Sequence, residues 1–295
     1  MWNDLNLLSQ SITLNMGRNV EKDALKKFAE GDSLSGSVLT GLNFSRAVLS
    51  GADLSGSDLR GTNFRGANLS GTNLSGSLFV EANLAEANLR ESNLRNADLS
   101  DSYLMEARLF GADMAGSDLT GANLGGAHMD GKVNLSGTSA VGANFRGATL
   151  REANLKNADF TVASMRNVIL DGANLSGADL TGVILSGAML PGAVLSGARL
   201  REAVLTGSNL ENVKLNNADL AKANLRRCNL RGADLMLATM RGAVLISAVL
   251  SDADMTLADL SQANFRGAIL DGANFRWADL TDTEIDDDSM DLVNS

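Results

Sequence analysis

Residues 82–99 read ANLAEANLRESNLRNADL, and this stretch shows a five-residue unit with little else mixed in. The unit consists of a small residue, Asn or Asp, Leu, and then two polar or small residues. Its central apolar residue recurs at every fifth position from Leu34 to Met129 and again from Leu135 to Ile285. An internal repeat of this kind decides the fold before any secondary structure is assigned.

A period of five residues matches neither the α-helix, with 3.6 residues per turn, nor the plain strand, whose side chains alternate every two residues. Each unit must therefore combine a short extended segment with a corner. We number positions relative to the central residue, i. Position i−2 is mostly Ala and is expected to point inward together with residue i, whereas position i+2 is often Gly, as a tight corner requires. Asn and Asp at position i−1 suit the same corners because their side chains bond to nearby backbone.

The units ADLSG at 52–56, ANLSG at 67–71 and ADLTG at 178–182 match the motif A(D/N)LXX, so the chain resembles the pentapeptide repeat family. The resemblance covers residues 32–285 and 51 units. It implies an all-β fold, a right-handed quadrilateral parallel β-helix or solenoid, with four pentapeptides in each coil. Because coils spaced about 4.8 Å apart would number about 12 to 13, they would form a rod of roughly 60 Å.

The sequence predicts three segments. Residues 1–31 form an N-terminal segment with an amphipathic helix at about 19–30, which would cap the exposed end of the first coil. Residues 32–285 form the β-helix, and residues 286–295 form an acidic C-terminal tail.

One residue is inserted at 130–132, because the step between the central residues Met129 and Leu135 is six. We expect a local bulge that absorbs this residue and preserves the four-fold phase. Residues one coil apart then share a face along the chain. An acidic face collects eight i−1 carboxylates: Asp58, Asp98, Asp118, Asp159, Asp179, Asp219, Asp259 and Asp279. The next face is basic, with arginines one or two positions after its central residues: Arg46, Arg65, Arg146, Arg166, Arg226, Arg227 and Arg266.

Two readings apply to these charged faces. Solvated charges can pair across the edge between the two faces, each pair contributing well under about 1 kcal/mol. Alternatively, a banded surface can orient a protein partner.

Apolar residues replace the usual Asn or Asp at position i−1 on two adjoining faces, where they should point outward. Exposed apolar patches on soluble proteins tend to mark contacts, although β-branched residues also simply suit strands. The candidate partner-binding residues are Ile184, Val204 and Val244 on one face and Ile169, Met189, Val249 and Ile269 on the other.

Composition limits the classes of protein. The net charge is −10, but six acids and no base lie in 281–295, and the rest of the chain carries 29 acids against 25 bases. No apolar run approaches the roughly 20 residues that span a bilayer, so we expect no membrane insertion. A single cysteine, Cys228, excludes an intramolecular disulfide and fits a reducing compartment, which favours a cytoplasmic location.

The residue types that carry catalysis are scarce. His128 is the only histidine, at an outward position, and Cys228 lies at an inward position five coils away, so they form no catalytic dyad. No cluster of soft ligands indicates a zinc site, and we expect no cofactor. The sequence therefore predicts a protein that is not an enzyme.

Two functions remain. The first is a rigid scaffold for protein–protein interaction, whose partner is a protein of unknown identity or a second copy in a homodimer. The second follows from the family resemblance, because some members imitate DNA and protect DNA gyrase from quinolones. A 60 Å duplex carries roughly 35 negative charges, at one per 1.7 Å. A repeat region whose acidic and basic residues nearly balance therefore imitates DNA poorly. Direct nucleic-acid binding is not expected.

Overall fold

A computed structural model of the protein describes residues 19–286. The chain divides into two compact units, Met1–Asn144 and Phe145–Ser295. The first 18 residues and all but Asp286 of the expected acidic tail lie outside the described residues. Within the described part, no helix is long and apolar enough to cross a membrane.

Helix α1 spans Asn19–Ala29, one residue shorter than the sequence predicts. It ends in a Schellman motif, in which Asp32 N–H donates to the Lys27 carbonyl (2.9 Å) and Gly31 N–H donates to the Phe28 carbonyl (3.0 Å). Gly31 supplies the left-handed conformation that this motif needs, with φ of 86°. Ala24 of this helix is buried and Phe28 is half-buried, while the role of α1 as a cap on the first coil stays a prediction.

The β structure of both units consists of isolated parallel bridges, the first at Val38 and the last at Glu284. Most bridges join residues 20 apart, such as Asp53 and Asn73. Since each repeat has five residues, one coil contains four repeats. The central residues from Leu49 to Leu270 are at most 2% exposed, and the small i−2 residues are buried beside them, so these two positions form the core of each unit.

Backbone hydrogen bonds join successive coils at each repeat. Leu54 N–H donates to the Asn73 carbonyl and Gly56 N–H donates to the Ser75 carbonyl, both at 2.8 Å. In the opposite direction, Asn73 N–H donates to the Ala52 carbonyl at 2.9 Å. These backbone amides and carbonyls therefore find partners in the neighbouring coils, as buried amides and carbonyls must.

Each corner other than the one at the insertion is a β-turn in which the amide of residue i+3 donates to the carbonyl of residue i. Every residue at position i+2 from Gly36 to Asp282 has a positive φ, between 53° and 75°, which together with this hydrogen bond matches a type II turn. Pro191 occupies position i+1, which this turn type favours because the ring fixes φ near −65°. The predicted corner at i+2 is thus confirmed, and it persists where the residue is not Gly.

Asn and Asp at position i−1 stabilise these corners, as the sequence predicts. The Oδ1 atom of Asn68 accepts a hydrogen bond from the backbone N–H of Ser70 (3.2 Å). The same oxygen accepts from the Nδ2 of Asn88 one coil later (2.9 Å), so the amides form ladders along a face. Each side chain therefore supports both its own corner and the stacking of coils.

The inserted residue is absorbed locally in unit 1. Bridges lengthen to 21 residues across it, at Asp113 with Asn134, Asp118 with Ser139 and Asn123 with Asn144. Gly131 and Lys132 both have positive φ, 75° and 68°, so the extra residue is accommodated by two successive left-handed residues. The prediction of a bulge that preserves the phase is confirmed for these columns.

Candidate functional site

The acidic face exists as a column within each unit. Its carboxylates lie directly above one another at three places, where bridges join Asp98 to Asp118, Asp159 to Asp179 and Asp259 to Asp279. Other residue types interrupt the column in the other coils: Val38, Leu78, Ser139, Arg199 and Thr239.

Three members of the acidic face pair with arginines of their own face. Asp58 pairs with Arg60 (2.6 Å), Asp179 with Arg199 (2.8 Å), and Asp219 with Arg201 (3.2 Å). For these three acids the partner lies within the face and not across the edge, whereas pairing across the edge stays a prediction for the other members of the acidic face. The arginine reaches the carboxylate from two residues along the chain at Asp58, from the next coil of the column at Asp179, and from position i+1 of the preceding coil at Asp219.

The predicted basic face is exposed throughout. Arg65 forms an ion pair with Glu86 (2.7 Å), which lies one coil further along the chain. The remaining predicted members have exposed side chains: Arg46, Arg146, Arg166, Arg226, Arg227 and Arg266. This face consequently presents guanidinium groups to solvent on both units.

The predicted apolar residues point outward from unit 2, on two adjoining faces, and we call them the apolar patch. Bridges stack Ile169 on Met189, Ile184 on Val204, and Val249 on Ile269. Met189 is 39% exposed and Ile269 is 47% exposed. The others are half-buried: Ile169, Ile184, Val204, Val244 and Val249.

A second apolar surface, which was not predicted from the sequence, lies at the corners of unit 2. Leu237, Leu257 and Trp277 occupy position i+2 in three successive coils and are 46%, 47% and 65% exposed. The Arg276 guanidinium lies 4.0 Å from the centre of the Trp277 ring. The sequence contains a signal for this surface, because large apolar residues occupy the usual glycine position i+2 at a spacing of 20 residues.

A shallow groove on unit 1 was also missed. It has a volume of about 300 Å³ and is lined by Arg90, Arg108, Phe110, His128 and Asp130. Only His128 and the insertion beside Asp130 were singled out from the sequence. The other residues escape notice because Arg90 lies 18 positions before Arg108 and 20 before Phe110, so that they meet only when the coils stack.

The described residues contain no group of three or more His, Cys, Asp or Glu side chains arranged to hold a metal ion. His128 is exposed on unit 1, with Nε2 3.7 Å from Glu106 Oε2. Cys228 is buried in unit 2, where its thiol donates to the Leu205 carbonyl, and burial raises the pKa of this thiol to about 11. The thiol is therefore protonated and shielded, unlike a catalytic cysteine.

Eight copies of the family model for pentapeptide repeats match the chain, at residues 33–66, 67–104, 102–131, 132–167, 163–197, 203–242, 223–262 and 258–287. The chain belongs to the pentapeptide repeat family. Membership, with parallel bridges 20 residues apart, assigns this pentapeptide repeat protein to the right-handed β-helix solenoid class.

Several solved structures are similar to this pentapeptide repeat protein. HetL, a pentapeptide repeat protein involved in heterocyst differentiation regulation from the cyanobacterium Nostoc sp. strain PCC 7120, is 29% identical. That alignment covers 88% of this chain and 94% of HetL, with a TM-score of 0.48. A pentapeptide repeat protein of the Arabidopsis thaliana thylakoid lumen is 30% identical over 38% of this chain and 67% of its own, with a TM-score of 0.28.

QnrB1, a plasmid-mediated fluoroquinolone resistance protein, is 19% identical over 88% of this chain and 94% of its own, with a TM-score of 0.37. Comparison with curated proteins gave no match.

Proposed function

We propose that this pentapeptide repeat protein is a non-enzymatic scaffold that binds a protein partner through the apolar patch of unit 2. The observation that carries the proposal is the stacking of Ile184 on Val204 beside Ile169 on Met189, at positions where the repeat otherwise places Asn or Asp. An apolar side chain at an outward position contributes nothing to the corner hydrogen bond that Asn or Asp makes. A contact surface explains why the polar residue is replaced in consecutive coils.

The chemistry of the surroundings indicates an acidic partner. Ile184, Val204 and Val244 share their face with the exposed arginines of unit 2, including Arg166 and Arg226. An apolar centre with a charged rim is the usual arrangement of a protein interface. Arginines at the rim would attract acidic side chains and fix the orientation of the partner.

The test uses a variant with Ile184→Asp, Met189→Asp and Val204→Asp. The matched control carries Asn154→Asp, Asn174→Asp and Asn274→Asp, which adds the same charge to a column of unit 2 that holds no residue of the apolar patch. Both proteins are immobilised, and the proteins captured from the native lysate are compared with those captured by the wild type. We expect the patch variant alone to lose a captured partner while it keeps the thermal stability of the wild type.

Two outcomes would contradict the proposal. If the patch variant and the control capture the same proteins, the patch is not the contact surface. If the patch variant unfolds at a much lower temperature than the control, these side chains belong to the core instead. Light scattering of the wild type and the variant would show whether the partner is a second copy of the chain.

Binding to DNA gyrase as an imitation of DNA is the second candidate, and the acidic face is the observation in its favour. The ion pairs of Asp58, Asp179 and Asp219 with arginines of the same face weaken it, because they remove part of the negative charge. A gyrase supercoiling assay with ciprofloxacin tests it directly. Failure of the protein to protect gyrase at stoichiometric excess would eliminate this function.

A further inference from the structure

The groove on unit 1 is built by three successive coils of one face. At position i−1 the coils place Asn88, Arg108 and His128 above one another, joined by bridges. At position i+1 they place Arg90, Phe110 and Asp130. The two columns flank a row of buried central residues, so the groove runs along the stacking direction for two coil spacings, or roughly 10 Å.

Arg90 and Arg108 lack the ion pairs that several other arginines of unit 1 form with nearby carboxylates. Arg60, Arg65 and Arg95 each form an ion pair with a carboxylate. Among residues 19–286, neither Arg90 nor Arg108 has a carboxylate within ion-pair distance, and both side chains are exposed. Two guanidinium groups that line one recess without an internal partner form a site for an anion, and the geometry of phosphate matches their planar donors.

Phe110 gives the groove an aromatic surface. Its side chain is 48% exposed, and the other residues that line the groove are polar. An aromatic ring of this size is usually buried. The ring rests on the backbone of Gly131, where a Cβ atom would come closer than 3.0 Å to ring atoms. The corner at the insertion therefore supports the ring, and a ring held in this way is prepared for stacking with a planar ligand.

The charged residues of the groove differ along the stacking direction. Arg90 lies in the first coil of the groove and Arg108 in the middle coil, whereas Asp130 lies in the third coil, and Glu106 is next to His128. A dianionic group is attracted to the two arginines, and therefore to the first and middle coils. A ligand with one phosphate and one planar ring would therefore bind in a single orientation, with its ring on Phe110.

We propose that this groove binds a mononucleotide, with the phosphate on Arg90 and Arg108 and the base stacked on Phe110. Its volume of about 300 Å³ is at the lower end of the range for small-molecule sites, which suits a nucleoside monophosphate. Bases stack on aromatic side chains with little dependence on sequence, and arginines contribute beside them. This site lies on unit 1 and is independent of the scaffold function proposed for unit 2.

The experiment titrates the full chain with AMP and GMP by isothermal calorimetry, with adenosine and inorganic phosphate as the two partial ligands. We expect a nucleotide to bind at least about tenfold more tightly than either partial ligand, because both ends of the groove contribute. Arg90→Gln with Arg108→Gln should reduce nucleotide affinity to that of adenosine. Phe110→Leu should weaken nucleotide binding about tenfold and leave phosphate binding unchanged.

The matched control is Arg60→Gln with Arg95→Gln, which removes the same charge from paired arginines of the same unit outside the groove. The proposal is overturned if neither nucleotide binds at millimolar concentration. It is also overturned if phosphate binds as well as the nucleotide and Phe110→Leu has no effect, which would indicate a simple anion site. Equal losses in the control and in the groove variant would indicate general electrostatic attraction instead.

Discussion

The ring of Phe110 lies against the Cα atom of Gly131, one coil further along the chain, and leaves no room for a Cβ atom there. Gly131→Ala should therefore lower the free energy of unfolding by more than the roughly 1 to 2 kcal/mol that a left-handed alanine costs. Gly137→Ala is the control, because Gly137 has a similar φ of 65° and nothing within 4 Å of its Cβ position. Urea denaturation measures both.

The extra loss at Gly131 should disappear when Phe110 is changed to Ala, because the ring causes it. A double-mutant cycle isolates this coupling. If Gly131→Ala and Gly137→Ala cost the same in the wild-type background, the ring moves away freely and the contact contributes nothing.

Val162 adopts a φ of 53° at a corner, although it is β-branched and 59% exposed. This conformation is costly for a β-branched residue and free of steric cost for glycine. We expect Val162→Gly to raise the free energy of unfolding by about 1 kcal/mol, after allowance for the entropy of glycine in the unfolded chain. A fall in the thermal unfolding temperature of this variant would show that the φ of Val162 does not destabilise the folded protein.

Cys228 should make the stability of the protein sensitive to alkaline pH. Burial raises the pKa of its thiol from 9.0 to about 11, so the folded state holds the proton where the unfolded state releases it. The contribution of this thiol to the free energy of unfolding is fully present below pH 9. It is lost as the pH rises towards 11, and the loss is about 3 kcal/mol at most. Cys228→Ser should lose less between these pH values than the wild type.

Serine suits this comparison because Ser208 makes the same kind of bond one coil earlier. Its hydroxyl donates to the Leu185 carbonyl at 2.7 Å, as the Cys228 thiol donates to the Leu205 carbonyl. Parallel pH profiles for the wild type and Cys228→Ser would show that the thiol is not the group responsible.

Asp58 and Arg60 predict a local response to acid. The Arg60 guanidinium donates hydrogen bonds to the Asp58 carboxylate and lowers its pKa below the ordinary value of 3.8. Arg60→Gln should raise the pKa of Asp58 in a pH titration followed by NMR, whereas Arg46→Gln should leave it unchanged. The stabilisation is present above pH 3.8 and disappears as the pH falls through the pKa of the folded state. An unchanged pKa in Arg60→Gln would mean that the pair is separated in solution.

The fold follows from the sequence to an unusual extent because its determinants are local. The alternation of Ala and Leu at i−2 and i identifies the core, and Asn68 and its counterparts identify the corners. Both patterns repeat every five residues, so the contacts between coils follow from the repeat itself. The insertion at 130–132 could be located because it shifts the register of every later repeat.

The surface was harder to predict because its contacts depend on side-chain length and direction. Arg201 reaches Asp219 across a coil spacing, whereas the sequence offered pairing across the edge with the basic face. The residues of the groove, such as Arg90 and Phe110, belong to different repeats and become neighbours only after stacking. Val162 shows that a corner imposes its φ even on a residue that disfavours it.

The bridges between residues 20 apart also determine which changes of length the chain can accept. Removing 20 residues from within unit 2 would delete one coil and keep every downstream side chain in its column. Removing a single pentapeptide would rotate the downstream repeats by a quarter turn, so that Asp259 would fall in a different column from Asp179. A gene for this protein can therefore gain or lose whole coils and keep its faces, whereas a gain or loss of one repeat exchanges them.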